Sequence, residues 1–443
     1  MKTALRTAYL VLMVATFLGV LSAQSRREPF VPFQTFLQDT QAASADMYLS
    51  RPESHARDAA AFEEMRQHIL SMYRGVDVSH SFLLDGNHVD CVPVLEQPSA
   101  RALALKDIPA PPALHESSTS SDTSVKSPAS VHSQIDPEHL YDEFGNSRVC
   151  EDQTIPMERI TLEQLTRFPT LREFFQKSPG EAEASSVLRP GQIVPPASPG
   201  THVYSFTYSP NIHNIGIADG NNLWSPPVKS NQYFSLSQLW EVGANGSLVQ
   251  TAETGWQVYP ALYGISKAAL FIYWTADGYN HTGCYNLSCP AFVQTNNSWI
   301  LGGGFTHYSS QGGTQYEIDM EYLLNKGKWW LYADGTAVGY YPASQYSPGT
   351  MTKYSVSMEF GTESVSSTTV DPPEGSGKFS NAGFKKAAYH RNLNYFSTSG
   401  KETQVHLTRD EPSPKCYTVT GPFDNISGWG EYFYDGGPGG SGC

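Results

Sequence analysis

Charge is scarce in this chain: Asp, Glu, Lys and Arg make up 16% of its 443 residues, against about 25% in an average globular protein. The balance is acidic, with a formal net charge of −14 and a pI near 5.4, and no basic stripe interrupts it. Nucleic acid and anionic membrane surfaces are excluded as partners, because both need a basic face. CxxC pairs and histidine clusters are missing too, so no metal and no cofactor is expected. No GxSxG elbow accompanies a His and Asp pattern, which argues against a serine hydrolase. A cysteine nucleophile is disfavoured because the six cysteines are an even set suited to disulfides. After the first two dozen residues no apolar run is long enough to span a membrane.

The N-terminus does carry one apolar run. Lys2 and Arg6 precede Ala8 to Leu21, and small residues follow at Ser22 and Ala23. A charged start, a short apolar stretch and a small residue at its end predict a secretory signal peptide over 1–23 and an extracellular destination. Five Asn-x-Ser/Thr sequons, at Asn245, Asn280, Asn286, Asn296 and Asn425, fit the same compartment. Cys284 and Cys289 are close enough to close a small loop.

From residue 24 to about 199 the pattern is mixed. Phe62, Met65, Ile69 and Met72 recur at helical spacing before Gly75. The Asp85-Gly86 pair between apolar runs predicts a hairpin leading to Cys91. Thr161 and Thr170 each stand where they can cap a short helix, the first carrying Leu162, Leu165 and Phe168, the second Leu171, Phe174 and Phe175. Two stretches read as mobile linkers: about 96–134, rich in Ser, Pro and Ala, and 178–199, with prolines at 190, 195, 196 and 199. The second is the clearest domain boundary.

Beyond residue 200 strand signals dominate. Tyr316, Ile318, Met320 and Tyr322 alternate with Glu317, Asp319 and Glu321, which read as a solvated outer face, and turns are predicted at Lys326-Gly327 and Asp334-Gly335. The fold class is mainly β: an antiparallel β-sandwich over 200–443, with a barrel as the runner-up, preceded by a smaller α+β region. Within it, Glu253 shares a strand face with Thr251, Gly255, Gln257 and Tyr259, while Trp256 faces the other way. A second acidic strand offers Glu359 and Glu363 on one face, about 13 Å apart along an ideal strand. Periodicity does not choose between them.

Several blocks, TAETGWQVYPALYG, IYWTADGYNHTGCYNLSCPAFVQT, KWWL with VGYYPAS, FGTE, GSGKF with AAYHRN, and WGEYFYDGGPGG, resemble in order those of the neprosin family, secreted glutamic peptidases that cleave after proline. Upstream, DCVP, TIPM and RITLEQLTRF resemble the activation peptide of that family. The resemblance implies a zymogen, with 24–199 as the activation propeptide and 200–443 as the catalytic β-sandwich. It implies Glu253 and Glu363 as the catalytic pair, with Glu359 a bystander. It further implies disulfides Cys284–Cys289 and Cys416–Cys443, leaving Cys91 and Cys150 to the propeptide. Thr362 stands where the family commonly has glycine; a side chain there is expected to narrow the cleft.

Two close carboxylates cannot both ionise easily, so the pair should hold one proton in an acidic window. One member can then activate water while the other protonates the peptide carbonyl. Gln257 and Tyr259 are candidate oxyanion donors, and Trp256, Tyr259 and Trp274 are candidate walls of a proline pocket. The implied partners are proline-containing peptides and the chain's own propeptide as inhibitor, with a monomer as the default. A secreted carbohydrate-binding or glycan-hydrolysing β-sandwich is the alternative, since paired carboxylates serve glycans as well.

Overall fold

The structure is a computed structural model that describes residues 29–114, 133–177, 200–424 and 428–443, with the backbone of Ala129–Ser130. The predicted signal peptide, the expected linker over 178–199 and the sequon residue Asn425 lie outside the described residues.

Local signals in the N-terminal region become elements directly. Helix Ala59–Met72 starts at Asp58, whose side chain accepts from Ala61 N, and it buries Phe62, Met65, Ile69 and Met72. Ser81–Leu84 and Asn87–Pro93 form the hairpin, turning through Asp85 and Gly86. Thr154–Glu158 adds a third antiparallel strand, and the Cys91–Cys150 disulfide ties the group together. Thr161 and Thr170 accept from Gln164 N and Glu173 N, capping helices Leu162–Leu165 and Leu171–Phe175.

The stretch read as a linker over 96–134 departs from expectation at both ends. Pro98–Ala102 is helical, and buried Gln97 donates to Gln294 O at 2.8 Å and accepts from Gln294 N at 2.9 Å. Gln134 is equally buried and donates to Ile300 O and Gly303 O. Polar composition misleads here because these side chains satisfy backbone groups of the β-body instead of facing water.

The β-body is one curled antiparallel sheet. Its main path runs Ala269–Thr275, Leu248–Val258, Gln232–Asn245, Ser355–Ser366, His202–Asn222, Tyr316–Asn325, Lys328–Ala333 and Thr336–Pro342. The longest strand, His202–Asn222, pairs with Ser355–Ser366 over its first half and with Tyr316–Asn325 and Ala388–Ser397 over its second. It changes partners around Asn211, which has a positive φ, so the sheet folds back and its halves form the two layers of a sandwich. Trp256 bridges the layers, donating from Nε1 to Asn221 Oδ1 and Asn222 O. Tyr322 crosses the other way, donating to Glu253 O at 3.2 Å.

Strand Ala269–Thr275 is buried on both faces: Leu270, Phe271 and Ile272 are all 0% exposed. The second layer covers one face and the N-terminal region covers the other. Each such apolar side chain contributes about 1.5–3 kcal/mol by leaving water, so the covering region and the β-body form one continuous core. Disulfides Cys284–Cys289 and Cys416–Cys443 close loops at its edges. Among the described residues no helix is long and apolar enough to cross a membrane.

The alternation over 316–322 is a strand as predicted, but Glu317 is not on a solvated face. It is buried, accepting from Arg391 Nε at 2.9 Å and Tyr389 OH at 3.2 Å. Strand Ala388–Ser397, which brings both donors, could not be paired with it from periodicity alone.

Candidate active site

Glu253 and Glu363 lie on strands separated by Gln232–Asn245. In register, Glu253 stands between Trp240 and Tyr273, and Glu363 between Leu236 and Tyr204. The position between the two rows belongs to Gln238, which is flanked by Gly255 and Gly361. A Cβ at Gly255 would meet Ser237 O at 2.0 Å and Gln238 Cα at 2.7 Å, so only glycine lets the strands approach here. The flat patch that results allows the two glutamates to lean toward each other above Gln238.

They meet on one cation. Lys177 Nζ lies 2.6 Å from Glu253 Oε2 and 2.7 Å from Glu363 Oε2, and all three side chains are closed off from solvent. Lys177 belongs to the N-terminal region, two residues beyond helix Leu171–Phe175. Phe174 packs on Phe168, and Phe175 sits edge-on to His68. Below the ammonium lies the Trp240 ring, 5.5 Å away. Burial alone pushes Lys177 down; the two carboxylates outweigh it and hold the ammonium above its ordinary range.

The two glutamates differ in their other partners. Glu253 Oε1 accepts from Thr251 Oγ1 and from Tyr279 OH, both at 2.7 Å. Glu363 Oε2 accepts from Gln238 Nε2 at 2.9 Å, and its Oε1 contacts His202 Nδ1. Burial pushes the Glu363 carboxyl up, but Lys177 and His202 outweigh it and hold it below the usual carboxylate range. One glutamate is held by hydroxyls, the other by an amide and an imidazole. Glu359 sits in the same row as Trp240 and Glu253, and burial pushes its carboxyl up to about 8. It is Glu363 that shares Lys177 with Glu253, and the ladder runs through Gly361 without a register shift.

Several predicted positions fall elsewhere. Gln257 is on the Glu253 face, but its amide is committed: Nε2 donates to Tyr285 OH at 3.2 Å and Oε1 accepts from Tyr263 OH at 2.7 Å. Tyr259 is packed among Phe168, Phe234, Tyr263 and Tyr285 and has left the strand, which ends at Val258. Trp256 and Trp274 are on the opposite face, Trp256 inside the sandwich and Trp274 against Tyr341 and Tyr346, so neither can wall a pocket beside Glu253. Thr362 also points away from the cleft, donating to Glu374 Oε2 at 2.6 Å; it narrows nothing. Of the sequon residues, Asn245, Asn280, Asn286 and Asn296 are all partly buried.

Sequence reasoning missed Lys177, His202, Gln238 and Trp240. Strand parity could have put Gln238 and Trp240 on one face, since both are even-numbered in the same strand, but only the register shows that this face is the Glu253 face. Lys177 follows an ordinary short helix by two residues, and no pattern in the sequence distinguishes it.

Inside the sandwich, Ser237 Oγ lies 2.9 Å from His390 Nε2, and His390 Nδ1 lies 2.6 Å from Asp219 Oδ2. The order is that of a serine triad, yet Ser237 and His390 are sealed from solvent. Burial pushes His390 down, but Asp219 and Asp435 outweigh it and hold the imidazole above its ordinary range. This chain of bonds is part of the core.

A curled antiparallel sheet carrying two converging carboxylates defines a β-protein with a paired-acid centre. Residues 231–438 match the family model described as Neprosin, so this stretch is a neprosin domain. The match supports a peptidase-type function.

Proposed function

We propose that this chain is the zymogen of a secreted endopeptidase that cleaves on the carboxyl side of proline, with Glu253 and Glu363 as catalytic pair. In this reading residues 1–23 are the signal peptide, 24–199 the inhibitory propeptide and 200–443 the catalytic domain, acting as a monomer on proline-containing peptides. The observation that carries it is the shared cation: two glutamates 110 positions apart in sequence, on non-adjacent strands, both bond Lys177 Nζ.

Removing the N-terminal region takes away that cation. Two bare carboxylates then share one proton. Glu363 keeps Gln238 and His202 and stays the ionised member; Glu253 keeps two hydroxyls and takes the proton. Glu363 removes a proton from water as its oxygen adds to the carbonyl carbon, and Glu253 gives its proton to the carbonyl oxygen. The proton held by Glu363 then passes to the departing nitrogen as the C–N bond breaks, and Glu253 recovers its own. A proline ring needs a flat apolar surface, and Trp240 with Phe206 and Tyr208 supplies one on the carboxylate face.

Acid release follows from the same contact. A carboxyl held low by its docked partner contributes stability above its free pKa and loses it as pH falls through the docked value, so the Lys177–Glu363 contact weakens on acidification. The seven histidines of 24–199 contribute less than their number implies. His68 touches the β-body through Ser288 O, His88 bonds Val31 N within the propeptide, and His115 and His132 lie outside the described residues.

The test is cleavage of a quenched peptide with a single Pro-Ala bond at about pH 4 and pH 7, using acid-treated wild type, Glu253→Gln, Glu363→Gln and Glu359→Gln. Acid-dependent cleavage after proline, lost in the first two variants and kept in Glu359→Gln, is expected. Cleavage retained in either of the first two removes the paired mechanism. Wild type that leaves the peptide intact but binds a glycan array supports the carbohydrate reading instead.

A further inference from the structure

Two hydroxyls beside the carboxylates hold backbone, not side chain. Tyr273 OH donates to Phe175 O and Tyr285 OH donates to Lys177 O, each at 3.1 Å. The acceptors are two residues apart, and Gln176 between them is extended, with φ −66° and ψ 147°. Alternate carbonyls on one side are what any extended peptide presents, so neither bond depends on which side chains the peptide carries.

The donors are built into place. Tyr263 OH donates to Gln257 Oε1, which turns Gln257 Nε2 toward Tyr285 OH and leaves the Tyr285 proton aimed outward. Tyr273 packs edge-on to Tyr285 with centroids 4.7 Å apart and stacks on Tyr279. Tyr279 in turn bonds Glu253. Opposite the Tyr273 hydroxyl is Gly283, where a Cβ would lie 2.5 Å from the oxygen; the missing side chain just ahead of Cys284 leaves that hydroxyl room. Burial pushes both phenols well above their ordinary value, so they remain donors at every working pH.

We propose that Tyr273 and Tyr285 form a two-point receptor for alternate backbone carbonyls of a bound peptide substrate, the track that the propeptide occupies through Phe175 and Lys177. Gln257 and Tyr263 are positioning residues that act through Tyr285. The proposal rests on the peptidase reading and adds to it a rule of recognition: the enzyme grips main chain on the side of Glu253 and so accepts varied sequences around proline.

The experiment uses the full chain nicked within 178–199 and freed of its N-terminal part, with a fluorescent Leu171–Lys177 peptide as probe. Tyr273→Phe and Tyr285→Phe should each weaken the probe about three- to tenfold, the range of one hydrogen bond. Replacing the Phe175 carbonyl of the probe by a thioamide, a poorer acceptor, should weaken binding to wild type and to Tyr285→Phe but not to Tyr273→Phe. With a proline substrate the loss should fall on KM and not on kcat, and Gln257→Glu should reproduce the Tyr285→Phe defect. Equal thioamide losses in wild type and Tyr273→Phe overturn the proposal, as does a loss confined to kcat. Because the probe assay reads binding alone, it stands or falls even if no proline bond is cleaved.

Discussion

The two sides of strand Ser355–Ser366 are both buried and both acidic, yet they are built on opposite terms. On the outer side Glu363 faces Glu253, and a lysine from a distant segment supplies the charge that holds them together. On the inner side Thr362 and Ser364, the immediate neighbours of Glu363, donate to Glu374 at 2.6 and 2.9 Å, and Ser205 adds a third hydroxyl. Burial pushes the Glu374 carboxyl well above its ordinary value, against the pull of those three hydroxyls. The inner acid is satisfied in place by neutral donors, whereas the outer pair is balanced by a cation that, under the proposed function, leaves with the propeptide.

The largest effect expected from breaking this contrast is on the outer side. Glu253→Gln and Glu363→Gln keep shape and lose the titratable proton, and each should lower kcat/KM by about 10²–10⁴, measured on the freed enzyme. Lys177→Met comes next: propeptide binding to the freed enzyme, followed by inhibition, should weaken by about 2 kcal/mol or more, the usual cost of removing one partner from a buried charge pair. On the inner side, Glu374→Ala removes the acceptor shared by three hydroxyls and should cost about 1–3 kcal/mol in thermal or denaturant unfolding. Glu374→Gln, isosteric with the neutral acid, should cost distinctly less.

The smallest effect concerns the far edge of the propeptide contact. Glu158 accepts from Asn87 beside Gly302, and burial pushes its carboxyl up to about 8. A raised acid is tolerated while protonated and disfavours the docked state once it ionises. Docking should therefore weaken again above about pH 8 in wild type, and Glu158→Gln should flatten that alkaline limb without touching the acidic one, read as propeptide dissociation against pH.

How far the sequence could be read follows the same division. Helix Ala59–Met72, the Asp85-Gly86 hairpin and the Thr161 and Thr170 caps were legible because each depends on neighbours in the chain. The parity of Glu253 and Gln257 was legible for the same reason. The long-range joins were not. Trp256 and Trp274 look like cleft aromatics until the second layer is seen to cover their face, and Thr362 looks like an obstruction until Glu374 is found behind it. Gln257 looks like an oxyanion donor until Tyr285 is found to take its amide. Lys177 was invisible, since nothing within a few residues of it says that two glutamates from another region will close around its ammonium.

The most direct measurement is the inhibition constant of the isolated 24–177 segment, wild type and Lys177→Met, against the freed enzyme from about pH 4 to pH 7. If Lys177 is the removable partner of the glutamate pair, wild-type inhibition weakens steeply as pH falls through the carboxylate range, while the Lys177→Met segment binds weakly and with a much flatter profile. Two superimposable profiles would contradict that assignment and move the basis of inhibition to the surrounding apolar contact.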